Sequence, residues 1–215
     1  MKINLTDKKV IITGGSTGIG KEVVKLFAEN KSKIALFDVN DSEGSNLSNE
    51  LNKKGSEIRY WHLDVRDSNQ VSGGVLAANQ WLGGVDILIN LAGILQGASL
   101  DIEKFPDDIW ESVIGVNLTG SYLMVKHVSE IMIKQKKGVI ILTSSGAGVL
   151  GSSSSYAYGS SKGGVHGFAL VLMDKLAKHG IRVHDILPGS VAVSYTHLRA
   201  HETEAALVCR LLLEK

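Results

Sequence analysis

Tyr158 and Lys162 stand four residues apart at the end of the stretch 145–162, S-G-A-G-V-L-G-S-S-S-S-Y-A-Y-G-S-S-K. On a helix that spacing puts both side chains on one face, about one turn from each other. Val165, Phe168, Ala169, Leu172, Leu176 and Ala177 follow at helical intervals, so a helix is expected there. A free phenol titrates near about 10. An ammonium about 4 Å away, at an effective dielectric of about 20, favours the phenolate by roughly 4 kcal/mol before solvation costs. That is enough to make the tyrosine a proton-transfer group near neutral pH. Tyr156 falls on the opposite side of the same helix from Lys162. A surface tyrosine–lysine pair with no chemistry has the same spacing, so the rest of the chain must decide between the two.

The elements that would position this pair alternate along the sequence. Residues 10–12 are a short apolar run that ends in T-G-G-S-T-G-I-G at 13–20, and Val23, Val24, Leu26, Phe27 and Ala28 follow as one helical face. Strand, glycine turn and helix form the context of a dinucleotide-phosphate site. Glycines let the backbone approach the pyrophosphate, and the helix N-terminus offers N–H groups and a positive dipole end. A tight turn with no ligand would look the same. Residues 15–21 also fit the start of a P-loop, but Glu22 stands where that motif needs a serine or threonine.

The second strand, 33–38, ends in Asp38, which could take the ribose hydroxyls of NAD and repel the extra phosphate of NADP. It could equally be a solvated turn residue, since Asn40 and Asp41 follow as capping material. Residues 42–53 read as a helix and 58–63 as a third strand. Asp64 then lies either at an adenine edge or as the cap of a helix over 67–82. Residues 85–90 form a fourth strand, 107–136 one long helical stretch containing Asn117, 139–143 a fifth strand and 181–187 a sixth. An asparagine inside a helix is by itself a solvent-facing residue or an incidental kink. Near-continuous apolar strands alternating with helices give an α/β fold, a doubly wound parallel sheet covered on both faces.

Composition excludes other classes. The chain is 44% hydrophobic and 21% charged with a net charge of +1, and no Lys/Arg run suggests a nucleic-acid surface. No apolar run approaches a membrane span, and the N-terminus has no signal-peptide core. Cys209 is the only cysteine, which fits a reducing cytoplasm.

Residues 193–215 are expected to be foreign to the fold. V-S-Y-T-H-L-R-A-H-E-T at 193–203 and L-V-C-R-L-L-L-E-K at 207–215 resemble translations of a transposase-based sequencing adapter in one reading frame. The segment is therefore set aside, and with it His197, His201 and Cys209 as metal or thiol candidates. It holds three basic and three acidic residues, so the remainder keeps the net charge of +1.

The remaining motifs occur together in one order. They are T-G-x-x-x-G-x-G at 13–20, N-x-A-G at 90–93, Asn117 in V-N-L-T-G, Ser145, Y-x-x-x-K at 158–162, and Pro188-Gly189. In this combination residues 1–192 resemble a short-chain dehydrogenase/reductase of the main Rossmann branch. The resemblance implies a sheet in order 3-2-1-4-5-6-7, here with six strands and the seventh missing. It implies a bound nicotinamide cofactor, NAD in preference to NADP, at Gly14, Ser16, Thr17, Gly18, Ile19, Gly20, Asp38, Asp64, Val65, Asn90, Ala92, Gly93, Tyr158, Lys162, Pro188 and Gly189. Tyr158 would be the general acid/base and Lys162 would hold the phenol and the nicotinamide ribose. Ser145 would polarise the substrate carbonyl and Asn117 would hold a proton-relay water. The implied activity interconverts a secondary alcohol and a ketone or aldehyde, with a small-molecule substrate and no metal. The full-length form would be a cytoplasmic homo-oligomer, dimer or tetramer. A non-catalytic dinucleotide-binding regulator and an inert fragment of such an enzyme are the alternatives. Three positions depart from the family pattern: Leu91 for the second asparagine of N-N-A-G, His184 for a frequent asparagine, and Val193 for a threonine.

Overall fold

The computed structural model describes residues 4–151, 153 and 155–188. Six parallel strands form one sheet in the order β3-β2-β1-β4-β5-β6. They are β1 (Lys9–Thr13), β2 (Lys33–Asp38), β3 (Glu57–His62), β4 (Ile87–Asn90), β5 (Gly138–Thr143) and β6 (Ile181–Ile186). The helices between them are α1 (Gly18–Glu29), α2 (Asp41–Lys53), α3 (Ser68–Leu82), α4 (Asp107–Ile114), α5 (Gly120–Gln135), α6 (Gly146–Leu150) and α7 (Tyr156–Ala177).

Strand alternation explains why the apolar runs are unbroken. Ile11, Phe37, Leu88 and Ile140 face a core built with Val75, Met124, Val128 and Val165 from α3, α5 and α7. Val10, Ile12, Leu36 and Ile89 face the other way, onto Val23, Phe27, Leu47 and Leu51 of α1 and α2. The chain reverses its direction of travel across the sheet between β1 and β4, and the carboxyl ends of those strands open the crevice where such sheets bind ligands.

The expected long helical stretch over 107–136 is present as a helix from 107 to 135, but it is not α-helical throughout. Between α4 and α5 lies a π-helical turn, Gly115–Thr119, with Asn117 at its centre. Its sequence, G-V-N-L-T, carries no proline, and within it the Asn117 side chain bonds Ile94 and Ser161. A short 3-10 turn, Ile102–Lys104, and the five-residue α6 were likewise not expected. Among the described residues no helix is long and apolar enough to cross a membrane, and no cluster of His, Cys, Asp and Glu could hold a metal. The expectations made for Gly189, for a seventh strand and for residues 193–215 fall outside the described residues.

Candidate active site

The glycine loop is shaped by close approach. Gly14 has φ +67°, and a side-chain carbon there would lie 2.7 Å from the Cα of Ala92. At Gly20 such a carbon would stand 2.0 Å from the carbonyl oxygen of Gly14. The loop thus folds against both α1 and the segment after β4. Thr13 Oγ1 fixes that junction, accepting from the N–H groups of Leu91 (3.2 Å) and Ala92 (3.1 Å) and donating to Asn90 Oδ1 (3.1 Å). Asn90 Nδ2 in turn donates to Ser121 Oγ at 2.8 Å, so the Asn90 side chain braces the wall from behind. Ser16, Thr17, Gly18 and Ile19 sit where α1 begins, and Ser16 Oγ is buried with no hydrogen-bond partner among the described residues.

A cavity of about 330 Å³ opens beside this loop. Gly14, Thr17, Asp38, Asp64, Val65, Ala92 and Gly93 line it, together with Arg66 and Val116. Asp38 is not a loose turn residue. Its Oδ2 accepts from Ser16 N and its Oδ1 from Asn40 N, each at 3.0 Å, so the carboxylate is held at the mouth of the loop. Each oxygen keeps a further acceptor site. Asp67, not Asp64, caps α3 by accepting from Asn69 N and Gln70 N. Asp64 instead accepts from Arg66 Nε at 3.0 Å and Nη2 at 2.6 Å, and these bonds hold its carboxyl below the usual carboxylate range.

The other end of the site is built by β5, α6 and α7. Lys162 is 6% exposed, its Nζ donates to the Thr143 carbonyl at 2.7 Å, and it lies 5.8 Å from the centroid of the Tyr158 ring. Tyr158 is half-buried. Tyr156 is 44% exposed and meets Phe105 edge-on, with ring centroids 5.5 Å apart. Ser145 follows β5 as the N-cap of α6, accepting from Ala147 N at 3.2 Å. Asn117 is buried. Its Oδ1 accepts from Ile94 N at 2.8 Å, and its Nδ2 donates to Ile94 O at 3.0 Å and Ser161 Oγ at 2.9 Å. A side-chain carbon at Gly93 would lie 3.4 Å from Asn117 Oδ1 and 3.5 Å from Lys162 Nζ, so the cavity wall and the lysine meet there. Pro188 lies two residues past the end of β6, and His184 is half-buried on that strand.

These residues fit a nicotinamide dinucleotide. The loop closes to distances that admit no side chain, the N-cap of α1 and the Asp38 carboxylate line the cavity, and the buried Lys162 ammonium lies beside Gly93 of its wall. Several residues of the frame went unread in the sequence. Ser155 caps α7, accepting from Tyr158 N and donating to Gln96 O at 2.6 Å. A serine three residues before a helical tyrosine is an N-cap signal that could have found it. Ser161 joins Asn117 to the Tyr158 carbonyl, and Thr13 joins β1 to β4; neither has a local signal.

A family model described as short chain dehydrogenase matches residues 8–204. The (+)-borneol dehydrogenase 1 of Salvia officinalis is 36% identical over 98% of this chain and 79% of its own length. The xanthoxin dehydrogenase of Arabidopsis thaliana is 35% identical over 95% of this chain and 73% of its own. Among solved structures, a xylitol dehydrogenase with NAD+ bound superposes with a TM-score of 0.82 at 34% identity, covering 86% of this chain and 71% of that one.

Proposed function

The chain belongs to the short-chain dehydrogenase family and is an oxidoreductase that interconverts a secondary alcohol and a carbonyl compound with a nicotinamide cofactor; within that activity we propose that Tyr158 is the general acid/base, served by Lys162, Ser145 and Asn117. The observation that carries this reading is the buried Lys162 ammonium, anchored on Thr143 O and set 5.8 Å from the Tyr158 ring.

The cofactor, when bound, supplies or accepts the hydride. The proton is left to the chain. In the reducing direction the Tyr158 hydroxyl gives its proton to the developing alkoxide, and in the oxidising direction the phenolate takes it from the alcohol. The Lys162 ammonium stabilises the phenolate in either direction. Ser145, at a helix start beside β5, donates a hydrogen bond to the substrate oxygen and polarises the carbonyl. The Asn117 side chain is engaged with Ile94 and Ser161, so a relay water would sit on its main-chain carbonyl, which accepts from Ser121 Oγ and keeps a second lone pair.

Asp38 makes NAD the preferred cofactor. A carboxylate fixed at the loop mouth binds ribose hydroxyls and repels a 2′-phosphate. The NAD+ held by the xylitol dehydrogenase relative supports the same choice. Asn90 contributes by bracing Thr13 and the 91–92 turn, and Gly189 is assigned to the cofactor on its Pro-Gly motif alone. Exposed Leu170 and Val171 on α7 and Tyr122 on α5 suit a homo-oligomer, dimer or tetramer. The absence of any cysteine from residues 1–192 suits the cytoplasm. A non-catalytic dinucleotide sensor has no use for a lysine buried beside a tyrosine.

The test is Tyr158→Phe, measured for turnover with a panel of secondary alcohols and for NADH binding by fluorescence. Turnover should vanish and binding should persist; substantial residual turnover removes Tyr158 from the role.

A further inference from the structure

Behind the Tyr158–Lys162 pair lies a second, buried polar cluster that the mechanism above does not use. Asp185 sits within β6 with its side chain 4% exposed. Its Oδ2 lies 2.7 Å from His166 Nδ1 and accepts from Ser144 Oγ at 2.8 Å, while its Oδ1 accepts from Ser144 N at 3.2 Å. The same N–H also donates to Ile186 O at 2.9 Å.

The N–H of Ser144 and the C=O of Thr143 are two ends of one amide group, and the carbonyl end is the acceptor of Lys162 Nζ at 2.7 Å. One planar amide therefore stands between a buried carboxylate and a buried ammonium. Because the amide is rigid, fixing its N–H fixes the direction of its carbonyl. Because hydrogen bonds in series polarise one another, a carboxylate drawing on the N–H also strengthens the bond at the carbonyl. His166 lies four residues after Lys162 on α7, so a single helix presents both the ammonium to the carbonyl and the imidazole to the carboxylate. A carboxylate in mid-strand is costly to bury, and packing alone would be served by a small apolar residue.

We propose that Asp185, supported by His166, is a positioning residue that acts through the 143–144 amide to hold Lys162 in place for the cofactor and Tyr158. The inference rests on the assignment of Lys162 given above, and its test separates the two. NADH dissociation constants are measured by fluorescence for the wild type, Asp185→Ala, Lys162→Met and the double variant, with kcat for the first two. Asp185→Ala should weaken NADH binding about tenfold and lower kcat about tenfold. Lys162→Met should weaken binding at least as much, and adding Asp185→Ala to it should cost no more than about twofold further. Asp185→Asn, which keeps an acceptor for the Ser144 N–H, should recover binding to within about threefold of the wild type. If Asp185→Ala does not fold, Asp185→Asn takes its place in the cycle, with about a threefold loss expected alone and none on Lys162→Met.

Wild-type NADH affinity and kcat in the Asp185 variants overturn the proposal. So does an undiminished Asp185 effect in the Lys162→Met background, which would mark a purely structural carboxylate. Wild-type affinity in Lys162→Met alone would instead overturn the role given to Lys162.

Discussion

Gly148 and Gly163 touch backbone to backbone: a side-chain carbon on Gly148 would stand 2.2 Å from the amide nitrogen of Gly163 and 2.5 Å from the carbonyl carbon of Lys162. These neighbours are main-chain atoms with no freedom to swing aside. This approach lets α6, capped by Ser145, lie against the turn of α7 that carries Lys162. Gly148→Ala should push α6 outward and carry Ser145 with it. Overpacking of this kind costs about 1–3 kcal/mol. The expected result is a lower melting temperature and a fall in kcat of about tenfold or more, with NADH affinity changed far less. Thermal unfolding, steady-state kinetics and a binding titration check the three parts.

Tyr156→Phe is the matched control for Tyr158→Phe. The Tyr156 ring packs edge-on against Phe105 and is 44% exposed, so losing its hydroxyl leaves that contact in place. Its kcat should stay within about twofold of the wild type, an amount set by less than about 0.5 kcal/mol. A loss comparable to that of Tyr158→Phe would mean that the wrong tyrosine has been assigned.

Asp38→Asn should relax cofactor choice without collapsing the loop. The amide keeps an acceptor for one of the two main-chain N–H groups that Asp38 now binds, at Ser16 or Asn40, while the charge that opposes a 2′-phosphate is removed. The wild type should turn over NADH more efficiently than NADPH, and the variant should narrow the gap by about tenfold. Equal use of both cofactors by the wild type would contradict the role given to Asp38.

What could be read in the sequence was what is local or periodic. The apolar runs at 10–12 and 33–38 became β1 and β2, and the i, i+4 spacing of Tyr158 and Lys162 became one face of α7. The glycine positions were legible because close approach admits no other residue. Bonds between distant segments left no such trace. Thr13 meets Asn90 across 77 positions, and Asn117 meets Ile94 across 23, with nothing nearby in sequence to announce either. Asp185 shows how a signal can be passed over. A polar pair interrupts the strand at 184–185, and the histidine is the one that departs from the family pattern, whereas the carboxylate beside it bonds the amide under the active site.

The Asp64–Arg66 pair should make acid stability depend on a surface arginine. Arg66 hydrogen bonds hold the Asp64 carboxyl below its ordinary value in the folded chain. A depressed carboxyl stabilises the fold above its unfolded titration, near about 3.9, and the benefit fades as pH falls through the lower folded value. Arg66→Gln should therefore melt below the wild type at pH 7, with the difference shrinking as the pH is taken from about 5 towards 2. A gap that widens on acidification would contradict the pairing.

The π turn at Gly115–Thr119 also fixes chain length. It holds one residue more than an α-helix would use for the same rise, which sets α5 out of phase with α4 by about 100°. On either side of the turn α4 packs against α7 and α5 packs against α3. Deleting any single residue between 115 and 119 would leave the number an α-helix uses for that rise, so the 16 residues of α5 could keep their core-facing stripe, while the widened turn that sets Asn117 against Ile94 and Ser161 would be lost. In this stretch the count of residues is under stricter constraint than most of their identities.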